Sequence, residues 1–179
     1  PPAPELLEAA DRMGLLVLDE AFDMWGMTKV KNGHGKYFAE WGERDLRDMI
    51  RRDRNHPSVV MWSIGNEILE QAEADGWKVA KRLTDICHEE DPTRPVTAGF
   101  NQAENAIKNR LADQVDIPGF NYGVRQYAKI LADHPGGAPV VLHLGERQVA
   151  RLPERWNVDT SNGLLGQLKV VLGAGAIVA

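Results

Sequence analysis

Cysteine is nearly absent. Cys87 is the single one in 179 residues, so no intramolecular disulfide can staple the chain. It falls in a helix-like stretch and reads as a small core residue, not a nucleophile. No run approaches the ~20 apolar residues of a membrane span. The opening residues, PPAPELLEAADRMG, carry no signal-peptide pattern. A basic excess is also missing. The formal net charge is -5 and the pI about 5.6, which leaves no basic face for nucleic acid or an anionic membrane. The one local cluster, Arg51, Arg52 and Arg54, is diluted by Asp48 and Asp53 and reads as a solvated helix end. There is no GxGxxG and no Walker loop, which argues against a nucleotide-binding sheet. Ser63 has no GxSxG context, which argues against a serine hydrolase. His34, His56, His88, His134 and His143 show no metal-ligand spacing, so no metal and no cofactor is expected.

What is present is an ordinary globular composition, 43% hydrophobic and 26% charged. It suits a protein at home in water and leaves the compartment open between cytoplasm, periplasm and secretion. Helix and strand patterns alternate along the chain. Residues 5–13 place Leu6, Leu7 and Ala10 on one helical face, with Gly14 as the stop. Residues 15–18 are a short apolar run, expected to be a buried parallel strand. An irregular segment, 21–36, carries glycines at 26, 33 and 35. Residues 37–53 form an amphipathic helix, with Phe38, Trp41, Leu46, Met49 and Ile50 near helical spacing; Asn55-His56-Pro57 ends it. Strands are expected at 58–64, 95–100, 115–120 and 140–144, and helices at 77–89, 103–111 and 124–132. This order predicts a parallel sheet with right-handed crossovers. Pattern alone does not separate a barrel from an open sheet.

Four strand ends carry polar groups: Asp19-Glu20, Gly65-Asn66-Glu67, Asn121-Tyr122 and Gly145-Glu146. In an α/β barrel the carboxyl ends of strands face the active site. Carboxylates and amides at one rim suit glycoside cleavage, which needs an acid to protonate the leaving oxygen and a second carboxylate at the anomeric carbon. Each residue also has a plainer reading. A Glu after a strand serves as well at a helix start, Asp19 and Glu20 as loop ligands, and Tyr122 as packing. Among the tryptophans, Trp41 and Trp62 read as core, and only Trp25, in the loop after Glu20, is a candidate platform for a sugar ring.

The seventeen residues RRDRNHPSVVMWSIGNE, positions 51–67, closely resemble the acid/base motif of glycoside hydrolase family 2, the family of β-galactosidases, β-glucuronidases and β-mannosidases. Upstream, PPAPELLEAADRMGLLVLDEAFDMW and YFAEWGERDLRDMI are similar to the family's barrel from its second helix through its third strand and on to the helix before its fourth. Downstream, DPTRPVTAGF and DIPGFNYGVRQYAKI resemble the fifth and sixth strand regions. The resemblance implies an incomplete (β/α)8 barrel running from the second helix through the seventh strand. It implies Glu67 as general acid/base, Asn66 as a partner of the sugar 2-hydroxyl, and Tyr122 as a group that orients the nucleophile. The best match to the nucleophile is Glu146, although Arg147 stands where the family has a small polar residue. Asp19, Glu20 and Trp25 complete the expected substrate-binding set. Two glutamates in these roles imply a retaining β-glycosidase working by double displacement, with a β-galactoside the leading substrate.

The barrel resemblance fades after Glu146, and the expected division is a catalytic segment over 1–147 and a divergent tail over 148–179. A complete barrel typically needs ~250 residues, so the parent protein is expected to hold the remaining strands. It is also expected to carry β-sandwich domains and to be a homo-oligomer acting on carbohydrate. The competing reading is a non-catalytic, carbohydrate-binding remnant of such a barrel; a cellulase-like barrel is a weaker one.

Overall fold

A computed structural model describes residues 1–122 and, beyond them, only the short strands Val141–His143 and Val149–Arg151. The chain divides into two compact units, Pro1–Tyr122 and Gly123–Ala179. The segment expected as a helix at 124–132 and the boundary expected at 147 lie outside the described residues.

In the first unit, helix α1 (Pro4–Met13) starts on a proline and stops at Gly14, whose φ of 69° only glycine adopts without strain. Strand β1 (Val17–Glu20) follows, then an irregular segment, then helix α2 (Gly35–Asp53). Strand β2 (Val59–Asn66) leads through a single 3-10 turn at Leu69–Ala72 into helix α3 (Gly76–Glu90). Strand β3 (Val96–Phe100), the short helix α4 (Ala103–Lys108) and strand β4 (Ile117–Phe120) complete the unit. All four strands are parallel and hydrogen-bonded in the order β1-β2-β3-β4. Consecutive strands are neighbours, with no reversal of order. A barrel progresses in this way, whereas a doubly wound open sheet reverses at its switch point.

One sheet face and the helices bury the core. Trp62, Ile64, Val96, Ala98 and Phe100 pack with Leu7, Leu46, Ile50, Leu83 and Cys87 in one cluster. Cys87 is the core residue expected, its thiol pushed up to about 12 by burial, with Asp116 and Asp91 adding to the effect. The DPTRP turn acts as a clasp. Arg94 donates to the carbonyls of Val59 (2.6 Å) and His56 (3.1 Å) and to the Asp91 carboxylate (2.6 Å), which also accepts the Trp62 indole N–H at 3.1 Å. Asp11 of α1 accepts the Ser58 backbone N–H at 3.0 Å and pairs with His56 Nδ1 at 2.6 Å, which ties α1 to the start of β2. Hydrogen bonds from Ser58 and then His56 hold its carboxyl at about 2.

Three expectations need correction. Trp41 is 38% exposed with the Arg44 guanidinium 5.0 Å over its ring, because it sits on the solvent side of α2. The apolar run at 15–18 is not a buried strand: β1 begins at Val17, and Leu15, Leu16 and Leu18 are exposed. The arginine cluster is exposed, as expected, and ion-paired besides. Arg51 and Arg47 converge on Glu90 at the end of α3, at 2.6 and 2.9 Å, while Arg52 grips Asp53. Residues 141–143 do form a strand, but it pairs antiparallel with Val149–Arg151 in a separate two-stranded sheet. A short connection permits an antiparallel pair, whereas a parallel partner needs a crossover of a dozen or more residues. Among the described residues, no helix is long and apolar enough to cross a membrane.

Candidate active site

The polar residues gather where β2, β3 and β4 end. Strand β2 runs two residues further than its apolar stretch predicts, so Asn66 is its last residue and Glu67 the first beyond it. Its pairing with β3 slips between Ser63 and Asn66, an irregularity that sets Asn66 opposite Gly99. Glu67 has a φ of 51°, in the left-handed region, and its N–H donates to the Gly99 carbonyl at 2.7 Å. A non-glycine residue held there costs about 1–3 kcal/mol, a strain characteristic of functional positions. The backbone bend points the carboxylate along the strand ends.

Two side-chain amides meet that carboxylate. Asn121 Nδ2, just past β4, donates to Glu67 Oε1 at 2.8 Å and to Asn66 Oδ1 at 2.9 Å. Asn101 Nδ2, just past β3, donates to Oε2 at 3.3 Å. The Tyr122 phenol lies beside the same carboxylate, whose hydrogen bond and negative charge raise its pKa above the usual value. Tyr122 is 73% exposed and has a φ of 61°. Space for the amides depends on Gly99: a Cβ there would meet Asn66 Oδ1 at 2.8 Å and Asn121 Nδ2 at 3.3 Å. Lys29, from the irregular segment, closes one side by donating to the Asn66 carbonyl and to Asp23, both at 2.8 Å.

The other expected site residues separate. Glu20 ends β1 with its carboxylate exposed, accepting Ser63 Oγ at 2.8 Å from the neighbouring strand. Asp19 points to the opposite face, as alternation along a strand requires, and is wholly buried against Asp53. Burial first, then the Asp53 carboxylate, pushes its pKa up to about 7. As an ion it has no donor within reach of either oxygen; protonated, it donates to Asp53. Trp25 is fully buried, its indole N–H donating to the Ile64 carbonyl at 2.7 Å and its ring stacked on Phe38 at 6.4 Å between centroids. It packs beneath the strand ends and presents no free ring face. Glu146 lies outside the described residues. Asn101, Gln71 and Lys29 carry no signal in the sequence, because an amide or lysine in a loop has no spacing signature. Asn121 was visible only as a strand-end residue.

A parallel sheet whose strands deliver a glutamate, three amides and a phenol to their carboxyl ends forms part of the mouth of a (β/α)8 barrel. The comparisons make this specific. Residues 1–118 match the family model described as "Glycosyl hydrolases family 2, TIM barrel domain". The chain is 42% identical over 166 residues to the β-galactosidase BoGH2A of Bacteroides ovatus, an alignment covering 75% of this chain and 20% of that protein. It is similar to the crystal structure of a glycosyl hydrolase family 2 member from Bacteroides cellulosilyticus, with a TM-score of 0.71, 42% identity, and coverage of 75% of this chain and 17% of that one. It is also similar to Bacteroides uniformis β-glucuronidase 2 covalently bound to cyclophellitol-6-carboxylate aziridine, with a TM-score of 0.57, 26% identity, and coverage of 97% and 24%. The chain belongs to glycoside hydrolase family 2 and carries part of its catalytic barrel. It spans about a fifth of the length of the curated β-galactosidase it matches.

Proposed function

We propose that the chain supplies the acid/base side of a retaining β-glycosidase, with Glu67 as the acid/base residue. The observation that carries this reading is the Glu67 carboxylate at the strand ends, held by Asn121 and Asn101 with Asn66 and Tyr122 beside it. In the first step Glu67 protonates the glycosidic oxygen while a second carboxylate attacks the anomeric carbon. In the second, Glu67 takes a proton from water, whose oxygen displaces that carboxylate. Retention places the two carboxyls ~5–5.5 Å apart. Glu146 is the proposed nucleophile. The covalent adduct of the Bacteroides uniformis relative supports a family member with an enzyme nucleophile. Asn66, with its Nδ2 not engaged by Asn121, is assigned to the sugar 2-hydroxyl, a contact that strengthens in the transition state. Tyr122 and Glu20 are assigned to the substrate side of the same mouth, and Asp19 and Trp25 to its structural support.

A β-galactoside is the proposed substrate, on the strength of the 42% identity to a protein named a β-galactosidase; other relatives are named β-glucuronidases. Relatives several times longer than this stretch support additional domains in the full-length protein. The test is turnover of a panel of chromogenic β-glycosides by the full-length protein, with NMR of the first-formed sugar. Preference for the galactoside and a β-anomeric initial product are expected. Preference for the glucuronide overturns the substrate, an α-anomeric product overturns retention, and no turnover of any member favours a non-catalytic barrel.

A further inference from the structure

Gln71, in the 3-10 turn after β2, is fully buried although its side chain is an amide, and both ends of that amide are engaged. Its Oε1 accepts the Gln102 backbone N–H at 3.0 Å, and its Nε2 donates to Asn101 Oδ1 at 2.5 Å. Asn101 Nδ2 in turn donates to Glu67 Oε2 at 3.3 Å. The direction of this chain is not free. A backbone N–H can only donate, so the Gln71 atom facing it must be oxygen. The Gln71 nitrogen therefore faces Asn101, the Asn101 oxygen faces Gln71, and the Asn101 nitrogen faces Glu67. The turn that carries Gln71 is itself pinned: Asn109 Nδ2 donates to the carbonyls of Gln71 at 3.0 Å and Glu73 at 2.7 Å, while Asn109 Oδ1 accepts the Leu111 N–H at 3.1 Å.

From this geometry we infer that Gln71 and Asn101 form a polarity-locked relay that positions the Glu67 carboxylate for proton transfer. The inference rests on the acid/base reading of Glu67. Asn121 already serves Oε1; the relay ensures that Oε2 also meets a donor and never an acceptor. The burial of Gln71 holds the Asn101 amide against flipping, which would turn its oxygen toward the Glu67 carboxylate and lose the hydrogen bond. Gln71 and Asn101 are positioning residues: they act on Glu67. Among the described residues, the titratable group facing Glu67 from β4 is Tyr122. From the β1 side, Lys29 donates both to the Asn66 carbonyl and to the Asp23 carboxylate, and Glu20 is held at Ser63.

The test is kcat/KM for an alkyl and for a dinitrophenyl β-glycoside in the full-length protein, for Asn101→Ala and Gln71→Met, beside wild type and Glu67→Gln. Asn101 is exposed, so its truncation leaves folding intact even if the buried Gln71 substitution does not. A misplaced carboxylate protonates the leaving oxygen poorly, so kcat/KM is expected to fall about tenfold or more on the alkyl glycoside and little on the dinitrophenyl glycoside, whose leaving group needs no proton. The same variants should lower deglycosylation, read as a smaller kcat on an activated aryl glycoside. A purely structural role lowers kcat/KM on both substrates alike. Equal losses on the two substrates in both variants, with Glu67→Gln inactive on the alkyl glycoside, overturn the relay and leave the acid/base reading standing. Full activity in Glu67→Gln overturns that reading and the relay with it.

Discussion

Asp19 and Glu20 are neighbours in β1, yet their carboxylates live in opposite environments. Glu20 faces water and a serine hydroxyl, whereas Asp19 is sealed against Asp53. Adjacent acids are indistinguishable in the sequence; the pleat of the strand assigns one to the mouth and the other to the helix side. Asp19 carries a consequence for stability. Its pKa is raised to about 7 in the fold, by burial first and by Asp53 second. An unfolded aspartate titrates near ~4. Between these values the unfolded chain has released a proton that the fold retains, so stability falls as pH rises from about 4 to about 7. Below that window the group is neutral in both states and contributes no pH dependence. Asp19→Asn keeps the shape and removes the titration. Denaturant unfolding at a series of pH values is expected to show a flatter profile in the variant across that window. An unchanged slope would contradict the shared-proton pair. Trp25 shows the same limit of residue-level reading. A tryptophan in a loop beside a candidate site reads as a sugar platform, but its N–H is spent on the Ile64 carbonyl and its face on Phe38.

At the scale of elements, most of the fold was legible. The period of residues 37–53, the apolar run before Asn66 and the glycine at 14 locate α2, β2 and the end of α1 to within two or three residues. Two features were hidden. One is the far end of β2, where backbone pairing with β3 carries the strand through Gly65 and Asn66 despite the loss of apolar character. The other is the register slip that turns Asn66 toward Gly99, which depends on a neighbouring strand thirty residues away. That slip gives Gly99 a specific role. A methyl group there would press on Asn66 Oδ1 at 2.8 Å and on Asn121. Side-chain amides yield more easily than backbone, so Gly99→Ala is expected to displace the Asn66–Asn121 pair while the sheet stays formed. Catalytic turnover should fall about tenfold or more, the effect of losing one hydrogen bond of ~1.4 kcal/mol at the site, with the melting temperature little changed. A variant of full activity would place the amides elsewhere.

At the scale of the molecule, four consecutive parallel strands and their helices account for residues 1–122, and the family model ends close by, at 118. The position of Glu67 was readable because it ends a contiguous motif, residues 51–67, where strand, bend and carboxylate follow one another in the chain. The amides that hold Glu67 were not, because Asn101 and Asn121 reach it from the ends of two later strands. The account centres on proton transfer by Glu67, and chemical rescue of Glu67→Gln in the full-length protein tests this most directly. With a dinitrophenyl β-galactoside the leaving group departs without protonation, so the glycosyl-enzyme still forms, but no base remains to activate water. Turnover is expected to fall by about 10²–10⁴-fold. Azide, which needs no base, should restore it by attacking the anomeric carbon and releasing the enzyme carboxylate, giving the β-galactosyl azide. Undiminished hydrolysis without azide, or a loss that azide does not rescue, would contradict the assignment of Glu67.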